Sequence, residues 1–147
     1  MATSRKTEAR RWFQQAFYDL RAARWNIDGG FHSTACFLAQ QAGEKALKSL
    51  LFHLGSRRKA LMTHSLVEMA SEAGRRSPEW LDLLNEARKL DLHYIPSRYP
   101  NGLPSGYPHQ FYAKPTAVEA VQAADKIVIA VADYYRGLAE EEILREE

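Results

Sequence analysis

The chain of 147 residues predicts an all-α fold: an antiparallel up-and-down bundle of four main helices plus a short one, with a long proline-rich loop before the last helix. Three observations carry that expectation. Apolar residues recur three or four apart through most of the chain, the period of one helix face, and no segment alternates with the period of two that a half-buried strand requires. Prolines and glycines concentrate in one stretch, residues 95–115, with five prolines and two glycines.

Residues 7–27 place Trp12, Phe13, Ala16, Phe17, Leu20, Ala23 and Ile27 on one stripe, and Asp28, Gly29 and Gly30 supply the turn that ends this first helix. A second helix is expected from Phe31 to about Leu54, through Ala35, Leu38, Ala42, Ala46 and Leu50, with Gly55 as its C-terminal stop. So short a turn makes the two an antiparallel hairpin. Ser65 followed by Glu68 reads as a capping box opening a short third helix, with Gly74 ending it. Pro78 suits the first turn of a fourth helix, where a backbone N–H has no helical partner, and Leu81, Leu84, Ala87 and Leu90 continue it to about Tyr94. The 95–115 segment is read as a long surface loop whose aromatic residues Tyr99, Tyr107, Phe111 and Tyr112 pack on the bundle. Thr116 and Glu119 form a further capping box for a last helix from Ala117 to about Leu138, its inner face carrying Val121, Ala124, Val128, Val131 and Tyr135.

The length fits a single domain, 1–147, with its core at about 8–137 and an acidic, solvated helix end at 138–147. Cys36, the one cysteine, has no disulfide partner and no Cys/His company for zinc, which assigns it an apolar, buried role. No apolar run is long enough to span a membrane and the first residues are not signal-like, so a cytoplasmic location is expected. The net charge of +2 hides an asymmetry. Residues 1–60 carry 11 Lys/Arg against 4 Asp/Glu (+7), and residues 61–147 carry 9 against 14 (−5). The basic half suits nucleic acid or nucleotide phosphates, an acidic partner, or the other half of the same fold.

Three blocks go further: QQAGEKALKSLL at residues 40–51, THSL at 63–66 and LDLHYIPSRYPNG at 90–102. With YDLRAA in the first helix and an Ala-rich last helix, they resemble the HEPN domain family in order and spacing over roughly residues 8–137. The resemblance implies a helical bundle, usually a homodimer, that binds nucleotides or RNA and needs no cofactor. Many members stand beside a minimal nucleotidyltransferase, and some belong to toxin–antitoxin systems. Some are metal-independent ribonucleases with an Arg, four to six residues and then a His, often with Asn after the Arg and a Tyr close behind the His.

Metal-free RNA cleavage needs a group that moves the 2′-hydroxyl proton and a cation for the phosphorane-like charge. Arg88 and His93 have the spacing for these roles, although Lys89 stands where the signature has Asn and Tyr94 follows the His one position early. Five residues along an ideal helix turn about 500°, which leaves the two roughly 140° apart unless a helix end or a dimer cleft joins them. Arg57 or Arg58 followed by His64 repeats the spacing in the wrong segment, and His64 has a helix-capping role as its alternative. His32, His53 and His109 are scattered, with no carboxylate–histidine spacing for a metal.

Arg98, between Ser97 and Tyr99, has a guanidinium fork suited to phosphate and a neighbouring ring suited to a base. Its alternative is a structural pair with Glu44. Gln41, Glu44, Lys45 and Lys48 share much of one helix face, a ligand groove or a solvated row. Three functions follow: a nucleotide- or RNA-binding accessory module with a nucleotidyltransferase-like partner, its basic groove lined by Lys45, Lys48 and Arg98; a toxin-like endoribonuclease using His93 and Arg88; and a dimerisation domain with no ligand, in which Trp25 and Trp80 are interface or core residues.

Overall fold

A computed structural model describes residues 2–146, with side chains from residue 5; Met1 and Glu147, the two ends of the expected domain, lie outside the described residues. The described residues are helical and contain no strand. α1 (Ala2–Asp28) and α2 (His32–Leu54) form the expected antiparallel hairpin, closed by Gly30 at φ 82°. α3 (Arg58–Met62) is a single turn and α4 spans Leu66–Arg76. A 3-10 segment, Pro78–Leu83, runs into α5 (Leu84–Asp91). A 3-10 turn at Pro100–Gly102 and α6 (Pro108–Phe111) interrupt the proline-rich loop before α7 (Lys114–Gly137) and a closing 3-10 turn at Glu141–Leu144.

α2 is the central helix, packing on α1, α4, α5 and α7. Small residues make that possible: Ala35, Ala39, Ala42, Gly43 and Ala46 are all buried, so four neighbours approach one axis. Gly43 is the tightest point, since a Cβ there would lie 2.6 Å from Leu66 Cδ2 and 2.8 Å from Leu90 Cδ1. Gly55 ends α2 as expected, in the left-handed conformation (φ 69°) that glycine adopts without steric cost. Trp80 is a core residue, whereas Trp25 is 76% exposed. Cys36 is buried, and burial pushes its thiol up to about 12.

Several expected boundaries shift for identifiable reasons. α4 runs through Gly74 to Arg76, because Leu81 packs against Gly74 and the helix is held in place where glycine propensity alone would end it. The Ser65–Glu68 capping box is half formed: Ser65 Oγ accepts from the Glu68 N–H, but the Glu68 carboxylate accepts from Thr63 Oγ1. The second capping group comes from another helix. Asp91, the last residue of α5, accepts from the N–H groups of Leu66 (2.7 Å) and Val67 (3.2 Å) and from Ser65 Oγ. That attachment marks the end of α5 at Asp91, short of the expected Tyr94. α7 starts at Lys114 with Pro115 in its first turn, so Thr116 does not cap it. The acidic end is not a frayed helix. It folds back on α1, where Ile143 is fully buried, Gln14 donates to the Ile143 carbonyl (2.9 Å) and Lys6 pairs with Glu142.

Candidate functional site

Two clusters of polar side chains lie along α2. The first is the expected row of Gln and charged residues. Glu44 and Lys48 are both buried and pair at 3.2 Å, and Glu44 also accepts from Gln40 and faces His64 Nδ1 at 3.2 Å. Lys45 donates to Asp19 of α1 at 2.5 Å and to Gln41 at 3.1 Å, and Gln41 donates to Gln40. Lys48 Nζ lies over the Trp12 ring. The row is therefore an internal network joining α1, α2 and the α3–α4 connection, with the charges of Lys45 and Lys48 matched by Asp19 and Glu44. Both lysines are committed to carboxylates inside this network among the described residues, which departs from the open basic groove expected of them.

The second cluster surrounds Arg98. Its guanidinium carbon lies 4.1 Å from the centroid of Phe37, 4.8 Å from Tyr94 and 4.8 Å from Tyr99, and its Nε donates to the Tyr94 carbonyl at 2.9 Å. Glu44 is not its partner; that alternative fails because the Glu44 carboxylate is already held by Lys48, Gln40 and His64. Among the described residues the two terminal nitrogens of Arg98 have no acceptor. Flat aromatic surfaces fix the guanidinium plane and leave its outer N–H fork available for a planar or tetrahedral anion. The local sequence sets this up. Pro96 and Pro100 bracket Arg98 in an irregular turn, Ser97 Oγ donates to the His93 carbonyl, and Phe37 projects from the first turns of α2.

Arg98 lines a cleft of about 320 Å³ together with Ser33, Thr34, Phe37, Ser97, Pro108 and His109. Ser33 and Thr34 belong to the first turn of α2, which has no side-chain cap and no acidic residue, so the helix N-terminus presents donors and a positive dipole end to the cleft. His109 stacks on Tyr107 at 5.5 Å with the planes 4° apart, and both are exposed. Tyr99, whose ring the guanidinium also faces, is exposed as well.

His64 does not cap a helix; Ser65 does. Its ring stacks on Tyr94 (4.8 Å, 18°) with Nδ1 toward Glu44, so the Tyr94 ring is shared by His64 and Arg98. Arg88 and His93 are not brought together. Arg88 is exposed on α5 and makes no hydrogen bond, ion pair or ring contact among the described residues. His93 lies just beyond the helix end, its ring against Tyr112 (5.4 Å) with Nδ1 3.3 Å from the phenol oxygen. Burial lowers the His93 pKa below its ordinary value, partly opposed by Glu119, which favours the neutral ring. Burial likewise pushes the Tyr112 phenol up to about 12. His53 bonds Glu140 at 2.7 Å and belongs to the attachment of the chain's end. Among the described residues no group of three His, Cys, Asp or Glu side chains is placed to hold a metal.

Sequence reasoning missed Phe37, Ser33, Thr34 and His109. Phe37 carried a usable signal, because it precedes Gln41 by four residues and Glu44 by seven and so shares their face. The other three meet Arg98 only through the path of the proline-rich loop.

The chain's similarity to known proteins agrees with this helical fold. The HEPN domain family model matches residues 9–134. A crystal structure of TT1696 from Thermus thermophilus is similar with a TM-score of 0.77 and 37% identity, covering 85% of this chain and 96% of that one. ST0689, described as an archaeal HEPN homologue, aligns with a TM-score of 0.71 and 35% identity over 86% of this chain and 96% of its own. A HEPN domain protein from Thermotoga maritima, tm0613, gives 0.68 and 28%, over 86% and 98%. No curated protein shows significant similarity to the chain. Family match, shared helical architecture and coverage lead to one assignment: the chain belongs to the HEPN domain family.

Proposed function

We propose that this chain is a nucleotide- or RNA-binding accessory module that works as a cytoplasmic homodimer with a minimal nucleotidyltransferase-like partner, as in a toxin–antitoxin pair. The observation that carries the reading is the Arg98 guanidinium, held against Phe37, Tyr94 and Tyr99 with its terminal nitrogens uncommitted at the edge of a cleft. A cation suited to phosphate beside exposed rings suited to base stacking is the pairing that nucleotide and single-strand recognition uses. The hydroxyls of Ser33 and Thr34 and the α2 N-terminus add donors on the same wall.

Titration of the purified protein with ATP and with short labelled RNA tests the reading, together with co-elution from cells expressing a minimal nucleotidyltransferase. The expected result is saturable binding that Arg98→Ala weakens at least about tenfold, the scale of one lost charge-assisted fork. Absence of nucleotide, RNA and partner binding by the wild type would overturn it.

A ribonuclease activity centred on His93 and Arg88 is favoured by the placement of the His93 ring beside the Tyr112 phenol just past the end of α5, where burial lowers its pKa in the direction of the neutral base such chemistry uses. Cleavage of a mixed RNA pool by metal-free wild type, lost in His93→Ala, would establish it; intact RNA in both samples would remove it.

A further inference from the structure

A second cationic cleft lies between α3 and α4. It has a volume of about 420 Å³, and its lining includes Arg57, Lys59, Thr63 and Arg75 with the carboxylates of Glu68 and Glu72. Both carboxylates are engaged. Glu68 accepts from Thr63 Oγ1, and Glu72 faces Arg75 at 3.4 Å. Arg57 and Lys59 have no carboxylate partner among the described residues, and the same holds for Arg58 and Arg76 beside them in sequence. α3 buries none of its residues. The fold thus holds a cation-rich turn on the surface of the bundle with little structural demand on its side chains.

The two clefts are linked by ring contacts. Thr63 is at the edge of the α3–α4 cleft, and His64 follows it directly. The His64 ring stacks on Tyr94 at 4.8 Å, and the Arg98 guanidinium lies 4.8 Å from the same Tyr94 ring. Cations, a half-exposed stacking pair and a further cation are therefore joined in turn through Thr63, His64 and Tyr94. A positively charged track with aromatic faces is the arrangement by which proteins hold a single strand with little sequence preference.

We infer that the ligand is a single RNA strand of several nucleotides running from the Arg57/Lys59 cleft past His64 and Tyr94 to Arg98. The inference rests on the nucleotide- or RNA-binding reading and narrows it: a mononucleotide occupies the Arg98 cleft alone, whereas a strand engages both clefts.

Fluorescence anisotropy with labelled uridine monophosphate and with oligouridylates up to about eight nucleotides separates the two, using wild type, Arg98→Ala, Arg57→Ala/Lys59→Ala and a distant surface control, Arg136→Ala. Circular dichroism and gel filtration confirm that each variant is folded. The expected result is affinity that rises with strand length. The double variant loses about fivefold or more for the longest strand, with a salt slope smaller by about 0.7 per lost phosphate contact. It binds the mononucleotide like wild type, and Arg136→Ala matches wild type throughout. Equal affinity of wild type and double variant for the longest strand, with Arg98→Ala still impaired, would overturn the track and leave the Arg98 reading standing. Failure of wild type to bind either probe would remove both.

Discussion

The Glu44–Lys48 row lies on α2 and the Arg98 cage leans on the same helix through Phe37, and the two treat charge in opposite ways. In the row, every cation is matched inside the protein: Lys48 by Glu44, Lys45 by Asp19. In the cage, a cation is oriented by three rings and one carbonyl while its outer donors stay unmatched. A count of basic residues ranks the row above the cage. Partner geometry reverses that order, because a paired, buried lysine is part of the fold and an unpaired, ring-backed arginine is available to a ligand.

The largest expected effect breaks the row. Glu44→Ala leaves Lys48 buried without its counter-ion and removes the partner of Gln40 and His64, at a cost of about 3–5 kcal/mol. Urea unfolding checks this; a loss near zero would return the row to the class of solvated surface pairs. Gly43→Ala probes the packing beneath it. The new Cβ would meet Leu66 and Leu90 at 2.6 and 2.8 Å, so about 1–3 kcal/mol of overpacking is expected in the same assay. Asp91→Ala removes an inter-helix cap, with an expected loss of about 1–2 kcal/mol and faster hydrogen exchange at Leu66 and Val67.

The smallest effect is one of pH. Because burial lowers the His93 pKa, the unfolded chain binds the proton more tightly than the native one. The neutral ring's contribution is fully present above the unfolded value of about 6.5 and declines as pH falls below it toward the native value. Urea midpoints at pH 7.5 and 5.5 should separate less in His93→Gln than in wild type. An unchanged separation would assign the acid sensitivity to other groups.

The comparison also shows what was legible in the sequence. The α1–α2 hairpin, the stop at Gly55 and the central place of α2 follow from apolar period and small residues, which are local properties. The half-formed box at Ser65 was legible, but its completion by Asp91 was not, because that bond joins helices separated by the 3-10 segment. Arg98 stood out through its motif. Its surroundings did not, since Phe37, Ser33 and His109 reach it only after the proline-rich loop folds back over the N-terminal end of α2. Likewise, spacing alone suggested Arg88 with His93, and the end of α5 at Asp91 turns His93 toward Tyr112.

The central claim is that the available cation is Arg98 and not the lysines of the row. Affinity for one labelled RNA oligonucleotide, measured side by side for wild type, Arg98→Ala and Lys45→Met, tests it most directly. A loss of at least about tenfold, equivalent to about 1.4 kcal/mol, is expected for Arg98→Ala, with Lys45→Met within about twofold of wild type. The reverse order, with Lys45→Met impaired and Arg98→Ala unaffected, would contradict it.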